Sequence, residues 1–82
     1  MGKRAIFKKQ EFGVAIKNHR VKKSITLEAA CSDTEIPRSV FHRIEQGYMP
    51  KLEHYVTIMT WMGEKSLKKY FTDSDTELLK NM

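Results

Sequence analysis

Four polar side chains between residues 38 and 43 have the types and the spacing of a surface that binds acceptor groups. They form two pairs four positions apart, which places each pair on one face of a helix. The guanidinium group of arginine carries five donors in a planar fork, so it can hold two acceptors at once, as on a phosphate or on the edge of guanine. The apolar residues between them are expected to face inward. The four outward residues are Arg38, Ser39, His42 and Arg43, and the inward ones are Val40, Phe41 and Ile44.

Helix signals surround these residues and recur along the chain. Pro37 suits the first turn of a helix and Gly47 suits its end, which predicts a helix over 37–46. Apolar residues at helical spacing predict two longer helices, over 10–23 and 51–62. Strand signals are weak, so we expect an all-α fold, a compact bundle of about five short helices. The two remaining helices are a short one that is capped by Thr26 and is expected to break at the polar residues 32–34, and a fifth around residues 67–71.

The charge of the chain is unevenly distributed. The 82 residues carry a net charge of +5, but residues 1–23 hold eight lysines and arginines against one glutamate. Residues 72–82 hold three acidic residues against one lysine. We therefore divide the chain into a basic N-terminal arm (1–9), a helical domain (10–71) and an acidic tail (72–82). The basic balance favours a nucleic-acid partner, although solvated surface lysines would give the same composition. The cations of the arm are Lys3, Arg4, Lys8 and Lys9.

Metal binding and catalysis lack the residue patterns that they need. The single cysteine, Cys31, and the three histidines at positions 19, 42 and 54 form no Cys-x-x-Cys or His-x-x-x-His pair. Cys31 is expected to be a small buried residue. We therefore expect no metal, no cofactor, no small-molecule ligand and no enzymatic activity. One cysteine and the lack of a long apolar run also predict a cytoplasmic protein that does not contact a membrane.

Three stretches of the sequence together carry a family pattern. Arg20 ends the first helix, Thr-Leu-Glu-Ala-Ala-Cys occupies 26–31, and Ile-Pro-Arg-Ser-Val-Phe-His-Arg-Ile-Glu-Gln-Gly occupies 36–47. With these, the segment 12–63 resembles the phage repressor and Cro family of helix-turn-helix proteins, also called the XRE or lambda-repressor-like family. The resemblance implies a helix-turn-helix made of the second and third helices, with the third in the major groove of DNA. The chain departs from the family at Glu35, where a glycine is common in the turn.

The resemblance also implies roles for individual residues. Arg20 and Glu45 would form a partly buried ion pair that ties the first helix to the third. The residues expected to read bases are Arg38, Ser39, His42, Arg43 and Pro37. The residues expected to bind phosphates are Thr26, Leu27, Arg20, Lys23, Gln46, Tyr48, Lys51 and His54.

The function implied is that of a transcriptional regulator, Cro-like or repressor-like, that binds double-stranded DNA sequence-specifically. It would bind a palindromic operator as a homodimer in the nucleoid. The alternative is an antitoxin-type autorepressor whose tail binds a partner protein, which the tail residues Leu78 and Leu79 favour. Apolar residues beyond the needs of one small core are the candidates for the dimer interface, unless Phe71 and Leu78 fold back on the core. These candidates are Trp61, Leu67, Tyr70, Phe71, Leu78 and Leu79.

Overall fold

The computed structural model describes residues 5–73, and helices make up most of this part of the chain. The prediction of a mostly helical bundle is confirmed, with four helices among the described residues and a small antiparallel sheet of two strands. None of these helices is long and apolar enough to cross a membrane. The elements in chain order are β1 (Ala5–Phe7), α1 (Lys9–Lys22), α2 (Leu27–Thr34), α3 (Arg38–Glu45), α4 (Leu52–Met62) and β2 (Phe71–Asp73).

The prediction of a fifth helix around residues 67–71 is wrong, because this segment forms turns that lead into β2. Two of its carbonyl groups, those of Leu67 and Tyr70, bond to distant parts of the chain instead of to a following helical turn. The hydroxyl of Tyr55 donates to the carbonyl of Leu67. The amide of Lys8 donates to the carbonyl of Tyr70 at 2.6 Å. Tertiary partners thus satisfy the backbone groups that a helix would have paired locally.

The two strands form a small sheet that carries an aromatic cluster. Phe7 pairs with Phe71 across the sheet, and their ring centroids lie 5.0 Å apart. The ring of Phe7 also meets the rings of Phe12 and Tyr55 edge-on, at 5.5 Å and 5.3 Å. Ile6, the preceding residue, is exposed, as the alternation of side chains along a strand requires. Part of the predicted N-terminal arm therefore belongs to the folded domain.

One core holds the helices together, and Gly13 lets α1 pack directly against the end of α3. A Cβ atom at Gly13 would lie 2.6 Å from the carbonyl oxygen of Glu45 and 2.8 Å from that of Ile44. Only glycine therefore allows α1 to pack against the last turn of α3 at this distance. The buried hydrophobic residues of the core are Phe12, Ile16, Ala30, Ile36, Phe41, Ile44, Tyr55, Ile58, Met59 and Tyr70.

α2 begins where the sequence predicts and ends later. The hydroxyl of Thr26 accepts a hydrogen bond from the amide of Ala29 at 3.0 Å, which confirms the predicted cap. The polar break expected at 32–34 does not occur, because the buried Thr34 donates its hydroxyl to the carbonyl of Ala30 at 2.8 Å. Glu35 then ends the helix with φ +58°, and two more residues lead into α3.

Candidate nucleic-acid interface

The four polar residues expected on the outward face of α3 are all exposed. Phe41 and Ile44, on the opposite side of the helix, are buried in the core. Pro37 precedes the helix with φ −55°, occupies its N-cap position and is exposed. α3 therefore presents a row of acceptor-binding groups outward, beginning at its first residue. The members of this row are Arg38, Ser39, His42 and Arg43.

An ion pair between Arg20 and Glu45 connects α1 to the last residue of α3. Nε of Arg20 lies 2.6 Å from Oε2 of Glu45, and Nη2 lies 3.1 Å from Oε1, so the pair has two parallel hydrogen bonds. Nη1 donates to the carbonyl of Ile25 at 3.1 Å. The hydrogen bond that Arg20 donates to Glu45 raises the pKa of Arg20 above its ordinary value. The side chain of Arg20 is only 15% exposed, and its donors bond to Glu45 and Ile25 within the protein. Arg20 is therefore better suited to this internal contact than to binding a phosphate.

A groove beside the C-terminal half of α3 gathers four of the residues expected to contact DNA. Arg43, Tyr48, Lys51 and His54 line it over an apolar floor, and its volume is about 220 Å³. Lys51 and Tyr48 are exposed, whereas Nδ1 of His54 is buried without a hydrogen-bond partner. Two cationic side chains around an open groove suit an anion such as a phosphate. Arg43 belongs both to this groove and to the outward row of α3.

The other expected phosphate contacts differ in what they can offer. Thr26 is exposed, and although its oxygen accepts from Ala29, its hydroxyl proton remains available. Leu27 is half-buried and packs against the core, so only its backbone amide at the start of α2 is suited to an anion. Lys23 and Gln46 are exposed at the C-terminal ends of α1 and α3.

The predicted basic arm is divided between the folded domain and a part that the structure does not describe. Lys8 is half-buried, and its backbone amide bonds to the carbonyl of Tyr70. Lys9 is the first residue of α1 and is exposed. Lys3 and Arg4 lie outside the described residues.

Three of the apolar residues proposed for a dimer interface pack within the monomer. Trp61 is half-buried, and its ring lies 4.9 Å from that of His19 and 6.0 Å from that of Phe41. Tyr70 belongs to the core. Phe71 is half-buried in the aromatic cluster, which corresponds to the alternative in which it folds back on the core.

Exposed apolar side chains occur elsewhere on the surface. Among the dimer candidates that the structure describes, Leu67 is exposed. Tyr48, Met49 and Leu52 are also exposed, in the connection between α3 and α4 and at the start of α4. These three were not among the dimer candidates. The remaining candidates, Leu78 and Leu79, lie outside the described residues.

The cysteine and the histidines belong to no metal-binding group in the part of the chain that the structure describes. Within residues 5–73, no three His, Cys, Asp or Glu side chains come close enough together to hold a metal ion. Cys31 is half-buried beside the core. Burial raises the pKa of the Cys31 thiol, which therefore stays protonated near neutral pH.

Sequence reasoning missed the contact between Glu28 and Arg38. The carboxylate Oε2 of Glu28, in the first turn of α2, lies 3.3 Å from Nη2 of Arg38 in α3. Both side chains are about two-thirds exposed, at 69% and 67%. The two residues are ten positions apart on different helices, so no helical spacing relates them, and only the packing of α2 against α3 brings them together.

Comparisons of the chain with protein-family models, with curated proteins and with solved structures found no match. Any function assigned to the chain therefore depends on the residues and contacts described above and on the family resemblance of segment 12–63.

Proposed function

We propose that this chain is a sequence-specific DNA-binding protein that regulates transcription. In this proposal α2 and α3 form a helix-turn-helix, and α3 lies in the major groove of double-stranded DNA. The observation that carries the proposal is the exposed row of α3, which extends from Arg38 to Arg43 on a helix whose other side is buried. The major groove admits an α-helix, and arginine pairs with O6 and N7 of guanine through two hydrogen bonds.

The groove between α3 and α4 supports the same proposal, since DNA recognition needs phosphate contacts beside base contacts. Arg43 and Lys51 supply positive charge there, and Tyr48 supplies a hydroxyl donor. The ion pair of Arg20 with Glu45 anchors α3 and limits how far the helix shifts when it binds. The net charge of +5 adds a general attraction to the DNA backbone.

The proposal includes a homodimer on a palindromic operator, because one recognition helix reads only a short half-site. Among the described dimer candidates, Leu67 is the exposed one. The antitoxin-type alternative depends on a partner of the acidic tail, and residues 74–82 of that tail lie outside the described residues.

Selection of random duplex DNA by the purified protein tests this function. The wild type, Arg38→Ala and Arg43→Ala would be compared at two salt concentrations, with Lys65→Ala as a control that removes an exposed cation outside α3 and the groove. We expect the wild type to enrich a two-fold symmetric site. Each arginine variant should relax the preference at its own base pair, by roughly 1–3 kcal/mol of discrimination.

The contrary result is binding without enrichment of any sequence, removed by salt and unaffected by either arginine substitution. Such binding would reflect the basic surface alone, and the proposed regulator of a specific operator would then be wrong.

A further inference from the structure

We propose that Glu28 is a specificity-determining residue that positions Arg38 to read a guanine. The inference rests on the DNA-binding function proposed above. Its basis is the ion pair between α2 and α3, in which Oε2 of Glu28 lies 3.3 Å from Nη2 of Arg38. Both side chains are largely exposed, so the pair lies on the surface and not in the core. Arg38 is also the first residue of the helix that would enter the major groove.

The contact leaves most of the guanidinium group available for a base. An arginine has five N–H donors, and the ion pair with Glu28 engages one nitrogen, Nη2. A guanine needs two donors, for O6 and N7. Arg38 can therefore keep its contact with Glu28 while it reads a guanine. The contact with Glu28 restricts the side chain of Arg38 before it binds, and a restricted side chain loses less conformational entropy on binding.

The same carboxylate disfavours the contact that competes with base reading. An arginine near DNA can turn to a phosphate, and this contact carries no sequence information. To reach a phosphate, Arg38 would have to leave Glu28, and the carboxylate itself repels phosphate groups. Glu28 therefore lowers the affinity of the protein for DNA of every sequence. It lowers the affinity least for a duplex that has a guanine where Arg38 contacts the DNA. The consequence is a larger difference in affinity between the correct base pair and the others.

A purely structural role for Glu28 would have a different signature. Arg38 places a positive charge at the N-terminal end of α3, where the helix dipole favours negative charge, and Glu28 offsets this charge. Loss of that effect would change the stability of α3 and would alter the affinity for all DNA sequences alike. Discrimination at a single base pair therefore separates positioning of Arg38 from support of the helix.

A double-mutant cycle tests the proposal on the full chain. Glu28→Gln keeps the shape of the side chain and removes its charge, and it would be measured alone and together with Arg38→Ala. The control is Glu64→Gln, which makes the same charge change in the ion pair with Lys69, outside α2 and α3. Fluorescence anisotropy would give the affinity for the selected site, for its three variants at the base pair that Arg38→Ala relaxes, and for an unrelated duplex.

We expect Glu28→Gln to reduce discrimination at that base pair by about two- to five-fold, the range for an exposed ion pair. It should also bind the unrelated duplex more tightly than the wild type does. Glu64→Gln should leave the discrimination at the wild-type value. In the Arg38→Ala background, Glu28→Gln should leave discrimination unchanged, because the side chain through which it acts is missing.

Two results would overturn the inference while the proposed function stands. One is full discrimination by Glu28→Gln at the base pair read by Arg38. The other is an equal loss of discrimination with and without Arg38, since Glu28 would then act by another route. If the wild type selects no site at all, the proposed function itself fails, and the role of Glu28 in base reading fails with it.

Discussion

Glu35 connects α2 to α3 with φ +58°, which is a left-handed backbone conformation. A residue with a Cβ atom adopts it at a cost of about 1–2 kcal/mol, and glycine adopts it freely. Thr34 and Ile36 on either side are buried, and their packing holds the turn in this shape. Glu35 therefore adopts the left-handed conformation that a glycine would adopt at this position. The absence of a glycine affects the stability of the protein more than the geometry of the turn.

Glu35→Gly is expected to stabilise the protein by about 0.5–1 kcal/mol. Relief of the left-handed strain exceeds the extra conformational entropy that a glycine gives to the unfolded chain. Urea denaturation would measure the change in the free energy of unfolding. Ser32→Gly, at an exposed position inside α2, is the matched control and should destabilise by roughly 0.5 kcal/mol. A lower stability for Glu35→Gly would mean that the left-handed strain at Glu35 is smaller than the entropy that glycine adds to the unfolded chain.

At the scale of elements, the two short strands are the main departure from the predicted bundle. Each has three residues, which is too short for an alternating pattern to stand out in a sequence. Their pairing brings Phe7 and Phe71 against Tyr55 of α4. The N-terminal segment thus contributes to folding, in addition to any contact that its lysines make with DNA.

Phe7→Ala is expected to destabilise the protein by roughly 2 kcal/mol, less than for a fully buried phenylalanine because the ring is half-buried. Ile6→Ala removes a neighbouring side chain that points away from the cluster, so its effect should be below about 0.5 kcal/mol. Thermal and urea unfolding of both variants would measure the difference. If the two substitutions have equally small effects, the aromatic cluster contributes little to the stability of the protein, and residues 1–9 act as a separate arm.

At the scale of the whole molecule, the outward row of α3 continues into the groove that contains Lys51. Arg43 is common to both surfaces, so base-reading and phosphate-binding groups are adjacent. In this arrangement, base contacts and phosphate contacts contribute separately to the free energy of DNA binding. Contacts to bases depend on sequence, and contacts to phosphates depend on salt.

Lys51→Gln is expected to weaken binding to the selected site and to an unrelated duplex by the same factor. It should also reduce the slope of log affinity against log salt concentration by about 0.9, the value for one phosphate contact. Affinity measured over a series of salt concentrations gives both quantities. Lys65→Gln, which removes an exposed cation outside the groove, should leave the slope unchanged. A loss confined to the selected site would instead make Lys51 a reader of bases.

The sequence by itself determined the features that depend on neighbouring residues. The cap at Thr26, the approximate extents of the four helices and the outward face of α3 follow from spacing, capping and turn residues within a few positions of each other. The structure also places Arg20 against Glu45, the two residues that the family resemblance pairs. Helical hydrogen bonds join residues four positions apart, so a local pattern is enough to specify them.

Only the tertiary structure decided which of the remaining residues meet. The pairing of Phe7 with Phe71, the burial of Tyr70 and the contact of Glu28 with Arg38 all join segments that no local pattern relates. The residues around 67–71 have helical spacing, yet they form turns and a strand, because the bonds to Lys8 and Tyr55 and the packing of aromatic rings outweigh a weak local preference. Such contacts depend on how the helices pack in three dimensions, and that packing is a property of the whole chain.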